Sequence, residues 1–108
     1  MSEYIEYLYE VFAPLGAIKP RKMFGGHGIF YDGVMIALVA DECLYLKVDK
    51  QSEEAFTVLD LPAFEYSKNG KTFAMSYRLA PEEIYEDPDE ALRWARLAYE
   101  AALRGRKK

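Results

Sequence analysis

Ile5, Leu8, Phe12 and Leu15 recur at spacings of three, four and three residues, the stripe of an amphipathic helix. Ser2 before it is a candidate N-cap and Gly16 after it a stop. Such a helix needs an apolar surface to cover. Strands rich in Val, Ile, Leu and aromatics are predicted at 23–31, 34–40 and 44–48, and later at 64–67 and 72–77.

Asp32-Gly33 and Asn69-Gly70 each divide two such runs. Asx-Gly is the two-residue signal for a type I′ hairpin, whose central residues both need positive φ. Asp41-Glu42 is a weaker turn. The stretch 23–48 therefore reads as a three-stranded meander, and 64–77 as a separate hairpin. Between them Ser52 is expected to cap a short helix through Ala55, Phe56 and Leu59, with Glu53 and Glu54 at its positive end. Pro62 then returns the chain to the sheet.

Pro81-Glu82-Glu83 has the composition of a helical first turn. Asp87 as N-cap, Pro88 at N1 and Glu90 at N3 start another. That last helix carries Leu92, Ala95, Tyr99, Ala102 and Leu103 on one face, widened by Trp94, Ala98 and Ala101. Its small side chains imply close packing, on the sheet or on another subunit. The expected class is α+β: an antiparallel sheet of about five strands, a meander plus a hairpin, flanked by N-terminal, middle and C-terminal helices.

Composition changes this picture little. The chain has 108 residues, 51% of them hydrophobic and 30% charged, enough for one core burying roughly 65% of the unfolded surface. Fourteen Lys and Arg against eighteen Asp and Glu give a net charge of −4, which argues against a protein basic throughout but not against a local basic patch. The early acids Glu3, Glu6 and Glu10 do not suit a signal peptide, and no apolar run has membrane-spanning length. With one cysteine and one histidine, neither an internal disulfide nor a four-ligand zinc site is expected. A reducing cytoplasm is the expected compartment, with no cofactor and no membrane contact.

A Cys/His nucleophilic pair would have to use Cys43 and His27; Cys43, at the start of an apolar strand, is expected to pack instead. The segment from Lys19 to Gly28 is the most unusual, with three cations and the glycines Gly25, Gly26 and Gly28. Its glycines suggest a structural bend. Arg21 and Lys22 beside exposed amides are the anion-contact alternative, although no strand is expected before the segment and its spacing is not that of a phosphate-binding loop. His27 is expected to be a hydrogen-bonded filler more than a pH switch. Tyr31, Tyr45, Phe64, Tyr66, Phe73 and Tyr77 form the core and its cross-strand pairs, or a stacking platform for single-stranded nucleic acid if several face solvent beside Arg and Lys. The tail Arg104-Gly105-Arg106-Lys107-Lys108 reads as a frayed, solubilising end or a weak electrostatic contact.

The run Arg21-Lys22-Met23-Phe24-Gly25-Gly26-His27-Gly28-Ile29-Phe30, the Asp32-Gly33 turn, Leu44-Tyr45-Leu46-Lys47-Val48-Asp49, Met75-Ser76-Tyr77 and Pro81-Glu82-Glu83 together resemble the TfoX (Sxy) N-terminal domain family, from about residue 5 to 104. Full-length members resemble this chain only in their first half, so the whole of 1–108 is expected to be one such domain in stand-alone form. The resemblance implies an α+β fold, a role in positive regulation of natural competence genes together with other transcription machinery, and no accepted catalytic site. It marks Arg21, Lys22, Gly25, Gly26, His27 and Gly28 as candidate contacts, with Tyr77 and Arg78 secondary. Arg78 departs from the aromatic that often follows Met-Ser-Tyr in the family, so that aromatic's contacts do not transfer.

Three functions follow as expectations. The first is a non-enzymatic regulatory or adaptor domain binding a protein partner of the transcription machinery, or a second copy of itself. The second is direct nucleic-acid binding through a patch at Lys19, Arg21, Lys22 and the tail. The third is a small-molecule or anion site at the glycine-rich segment.

Overall fold

The computed structural model describes residues 3–23 and 25–106. In chain order the elements are α1 (Glu3–Val11), β1 (Lys19–Met23), β2 (Gly26–Tyr31), β3 (Val34–Ala40), β4 (Cys43–Lys47), α2 (Glu53–Thr57), β5 (Ala63–Lys68), β6 (Lys71–Leu79), α3 (Glu83–Glu86) and α4 (Pro88–Arg106). The strands form one sheet in the order β1-β2-β3-β4-β6-β5, with every neighbouring pair antiparallel. The α+β class holds, with six strands where five were expected. The additional strand is β1: Lys19–Met23 pairs with Gly26–Tyr31 from Lys19↔Phe30 to Met23↔Gly26. Its polar Lys-Pro-Arg-Lys sequence lacks the apolar alternation of a buried strand, but an edge strand needs only one partner and favours such residues.

The predicted turns form as the sequence indicates. Asp32 and Gly33 have φ of 53° and 84°, and Asn69 and Gly70 of 55° and 78°, the positive pair a type I′ hairpin requires. Asp41 and Glu42 do the same at 52° and 58°, without a glycine to relieve the strain.

Helices cover one face of the sheet. Ile5 and Leu8 from α1, Phe12 in the turn just after it, Phe56 from α2, Ile84 from α3 and Trp94, Ala95 and Ala98 from α4 pack with strand residues such as Ile29, Ile36, Leu44 and Leu46 in one buried cluster. Between Ile29/Phe30 the β2–β3 register shifts, pairing Ile29 with Ala37 and Phe30 with Met35. Ile36 is the extra residue, and both it and Ala37 are fully buried, so the bulge delivers two successive side chains to the core. The alanine face of α4 lies on β3 and β4, which settles the close packing in favour of the sheet. Trp94, edge-to-face with Phe56 at 4.9 Å between centroids, is the largest fully buried side chain.

The helix starts mostly follow the capping signals, with one transfer. Asp87 caps α4, its carboxylate accepting the Asp89 amide at 2.9 Å, while Ser2 lies outside the described residues. Ser52 makes no side-chain cap to α2. Instead the Asp49 carboxylate accepts the amides of Gln51 and Ser52 at 3.1 and 3.0 Å, and the Ser52 hydroxyl accepts the Asp49 amide at 3.0 Å. This reciprocal arrangement is a capping box with serine in the usual glutamate place. Arg104 clamps the same carboxylate with Nε and with Nη2, the latter at 2.9 Å. The tail therefore begins differently from expectation: α4 runs through Gly105 to Arg106, and Arg104 is tied down. Lys107 and Lys108 lie outside the described residues.

Candidate functional site

Among the described residues, the second face of the sheet carries no helix. Side chains alternate along a strand and directly paired residues share a face, so the register fixes which residues lie there. Ile29 and Leu46 point to the helices. Their neighbours Gly28, Phe30, Tyr45 and Lys47 point the other way, and so do Lys19, Arg21 and Met23 of β1 through Lys19↔Phe30, Arg21↔Gly28 and Met23↔Gly26. Across the sheet, Leu38↔Tyr45, Tyr45↔Leu79, Lys47↔Tyr77, Tyr66↔Phe73 and Lys68↔Lys71 extend this face to its far edge.

The face is concave. Met23, on one edge strand, and Phe64 and Tyr66, on the other, line a single cavity of about 260 Å³ with Met35, Leu38 and Met75. Strands at opposite edges share a hollow only when the sheet coils, and the register shifts in β2–β3 and β5–β6 strengthen that coiling. Three methionines give the floor flexible, polarisable side chains that adapt to what they touch. Leu38 and Tyr77 are buried here, while Phe73 and Tyr66 are 51% and 36% exposed. Tyr45 and Phe64 meet edge-to-face at 5.0 Å. Burial pushes the Tyr45 and Tyr77 hydroxyls up, with Cys43 and Asp41 adding to the effect at Tyr45, so both stay neutral phenols at ordinary pH.

Cations stand beside these rings. The Arg21 guanidinium carbon lies 5.7 Å from the Phe30 centroid, and the Lys47 ammonium 5.1 Å from that of Tyr77, within cation–π range. Lys19 and Arg21 line a second hollow of about 650 Å³ with Phe30 and Asp32. Asp32 itself accepts the Tyr99 hydroxyl at 2.5 Å.

The structure separates residues that the sequence grouped. Arg21 and Lys22 are adjacent in β1 and alternate to opposite faces, Lys22 lying opposite His27, so Lys19, Arg21 and Lys22 make no single patch. A strand does precede the glycine-rich segment. Gly25 turns the β1–β2 hairpin with φ of 77°. A Cβ on Gly26 would lie 2.0 Å from the Val39 carbonyl oxygen, and one on Gly28 2.9 Å from Met23 Sδ. These two glycines thus admit a neighbouring strand and a methionine, which is the structural reading. His27 is half-buried and lines the cavity of about 260 Å³ with Met23 and Met35. Cys43 is exposed, not packed, because it starts β4 at the turn beyond the apolar positions. Arg78 points to the helical side, bound to Glu53 at 2.9 and 3.1 Å and to the Leu61 carbonyl at 2.8 Å. Tyr31 also leaves the aromatic set: it packs against the core and meets Tyr99 edge-to-face at 4.9 Å.

Sequence reasoning missed the three methionines and the cations Lys47, Lys68 and Lys71. The signal was present as a period of two in Lys71, Phe73, Met75 and Tyr77, but only pairing to β4 and β5 shows that this side lacks a cover.

These features define an α+β domain whose antiparallel sheet is packed by helices on one side and open, concave and rich in aromatics on the other. Among the described residues no helix is long and apolar enough to cross a membrane. The chain belongs to the TfoX N-terminal domain family, whose profile matches residues 10–102. It is 29% identical over 96 residues to Protein Sxy of Escherichia coli (strain K12), covering 88% of this chain and 46% of the relative. It is 28% identical over 92 residues to the DNA transformation protein TfoX1 of Aliivibrio fischeri (strain ATCC 700601 / ES114), covering 85% and 44%. The chain thus spans a little under half the length of each.

Proposed function

We propose that this chain is a non-enzymatic regulatory domain, of the kind its TfoX and Sxy relatives suggest, that acts by seating a macromolecular partner on the open face of its sheet. The observation that carries this reading is the bare concave face itself. Folding normally buries a sheet face bearing Met23, Met35, Phe64, Phe73 and Met75, and an exposed apolar patch of this kind marks an interaction surface. The adaptable methionines favour a binding role. Against catalysis stand the family membership and the placement of the sole histidine and cysteine. His27 lies opposite Val39, and Val39 opposite Leu44 beside Cys43, so the two are separated by two strand spacings, about 10 Å.

One relative is named a DNA transformation protein, which supports a role in DNA uptake; regulation through the transcription machinery is what the family resemblance implies, and the cytoplasm is the compartment the sequence suggests. The test is a transcriptional reporter for DNA-uptake genes in the host, comparing wild type, a gene deletion and a Tyr66→Ala/Phe73→Ala variant of confirmed fold. The deletion and the variant are expected to lower the reporter alike. An unaffected reporter in the deletion overturns the regulatory role, and a fully active variant overturns the open face as its site.

A further inference from the structure

Charge on the two sides of the sheet is divided. The strands contain a single carboxylate, Glu65, which pairs with Ala74 and alternates away from the concave side. That concave side carries Lys19, Arg21, Lys47, Lys68 and Lys71. None of the five forms an ion pair among the described residues, where the salt bridges are Arg78–Glu53, Arg93–Glu90 and Arg104–Asp49. Lys68 and Lys71 are directly cross-strand from one another, a like-charge pairing that a strand pair does not favour. The acids gather on the helices instead, including Glu3 and Glu6 on α1, Glu53 and Glu54 on α2, and Asp89 and Glu90 on α4. In a protein of net charge −4 the charged strand side chains of this face are therefore all cations, with the turn residue Asp32, which accepts the Tyr99 hydroxyl, beside the Lys19–Arg21 hollow.

Aromatic rings lie between those cations. Phe30 sits beside Arg21, Tyr77 beside Lys47, and Tyr66 and Phe73 lie opposite each other two residues from the Lys68–Lys71 pair. A hydrophobic protein partner needs the rings but not the uniform charge. A duplex needs the charge but offers its bases only at groove edges. Single-stranded nucleic acid uses both, stacking its bases on rings while cations follow its phosphates. Six strands at about 4.8 Å spacing give a face about 24 Å wide, a span suited to a short oligonucleotide.

We propose that the open face of the sheet binds single-stranded nucleic acid, with bases stacked on Phe30, Tyr66 and Phe73 and the backbone held by the five cations. The proposal rests on the reading that this face is the domain's binding surface, and it names the partner class. It also replaces the Lys19–Lys22 patch with a different set of residues.

The test is fluorescence anisotropy with labelled 12-nucleotide oligo-dT, oligo-U and a duplex of equal length, over a range of salt concentrations. Both single strands are expected to bind more tightly than the duplex; the ratio of the two separates DNA from RNA as the preferred source. Engagement of all five cations gives a slope of log affinity against log salt of about −3.5, and Lys68→Ala/Lys71→Ala moves it to about −2. Phe73→Ala is expected to weaken single-strand binding about tenfold with the slope kept. Duplex binding equal to single-strand binding, or indifference to Phe73→Ala, overturns the proposal. So does the absence of binding at low salt. If an acidic amphipathic peptide then binds and loses affinity in the Tyr66→Ala/Phe73→Ala variant, the open face stands as a protein-docking surface and only the nucleic-acid assignment falls.

Discussion

Asp49 shows how much one side chain can organise. The Arg104 guanidinium, opposed by burial and helped by the Ser52 amide and hydroxyl, holds its carboxyl well below the usual carboxylate range. Arg104 is raised in turn by the same contact. A depressed acid stabilises the fold above its unfolded pKa, near 4, and that contribution is lost as pH falls through the folded value. Arg104 is one-third exposed, so solvent screening limits the pair: Arg104→Ala is expected to cost about 1 kcal/mol at neutral pH. Urea unfolding should show the difference from wild type shrinking below about pH 4; a gap constant down to pH 2 would contradict the assignment. The sequence offered Arg104 only as part of a basic tail. It had no means of showing Asp49, fifty-five positions earlier, beneath it.

At the scale of elements, local chemistry was the most legible. Asx-Gly turns, the Asp87-Pro88 helix start and the α1 stripe are short-range signals; the first two formed where the residues placed them, while α1 ends at Val11 and leaves Phe12 and Leu15 of its stripe in the turn that follows. Strand β1 was not legible, because an edge strand of Lys19–Met23 has no apolar alternation to report. The glycines after it were readable as a bend, but what each glycine meets was not. Gly26→Ala forces a Cβ against the Val39 carbonyl, a backbone atom that cannot yield without shifting β3, and is expected to cost about 2–3 kcal/mol. Gly28→Ala meets the far ends of Met23 and Met35, which can turn aside, and should cost about 1 kcal/mol or less. Thermal denaturation of the two variants checks the order; a reversed order would mean that β2 and β3 approach one another differently.

At the scale of the whole molecule, the sheet has a covered face and an open one, and a pair of phenylalanines reads the difference. Phe56 is fully buried against Trp94, so Phe56→Ala is expected to cost about 3–5 kcal/mol. Phe73, half-exposed on the concave side, should cost less than about 0.5 kcal/mol as Phe73→Ala, a shift in melting temperature of at most about 4 °C. Comparable losses in both variants would mean that the concave face is itself packed in the folded protein. The sequence alone determined the class of the fold, its turns, most of its helix starts and the apolar stripes of its helices, because periodicity and capping act over a few residues. It also assigned the family through motifs spread along the chain. Only the tertiary structure decided which side of the sheet the helices cover, that Arg21 and Lys22 part company, and that Lys19, Lys47, Lys68 and Lys71 share one surface with Phe30 and Phe73. Those relations depend on strand order and register, and contacts between residues far apart in the chain are fixed by how the whole sheet closes its core.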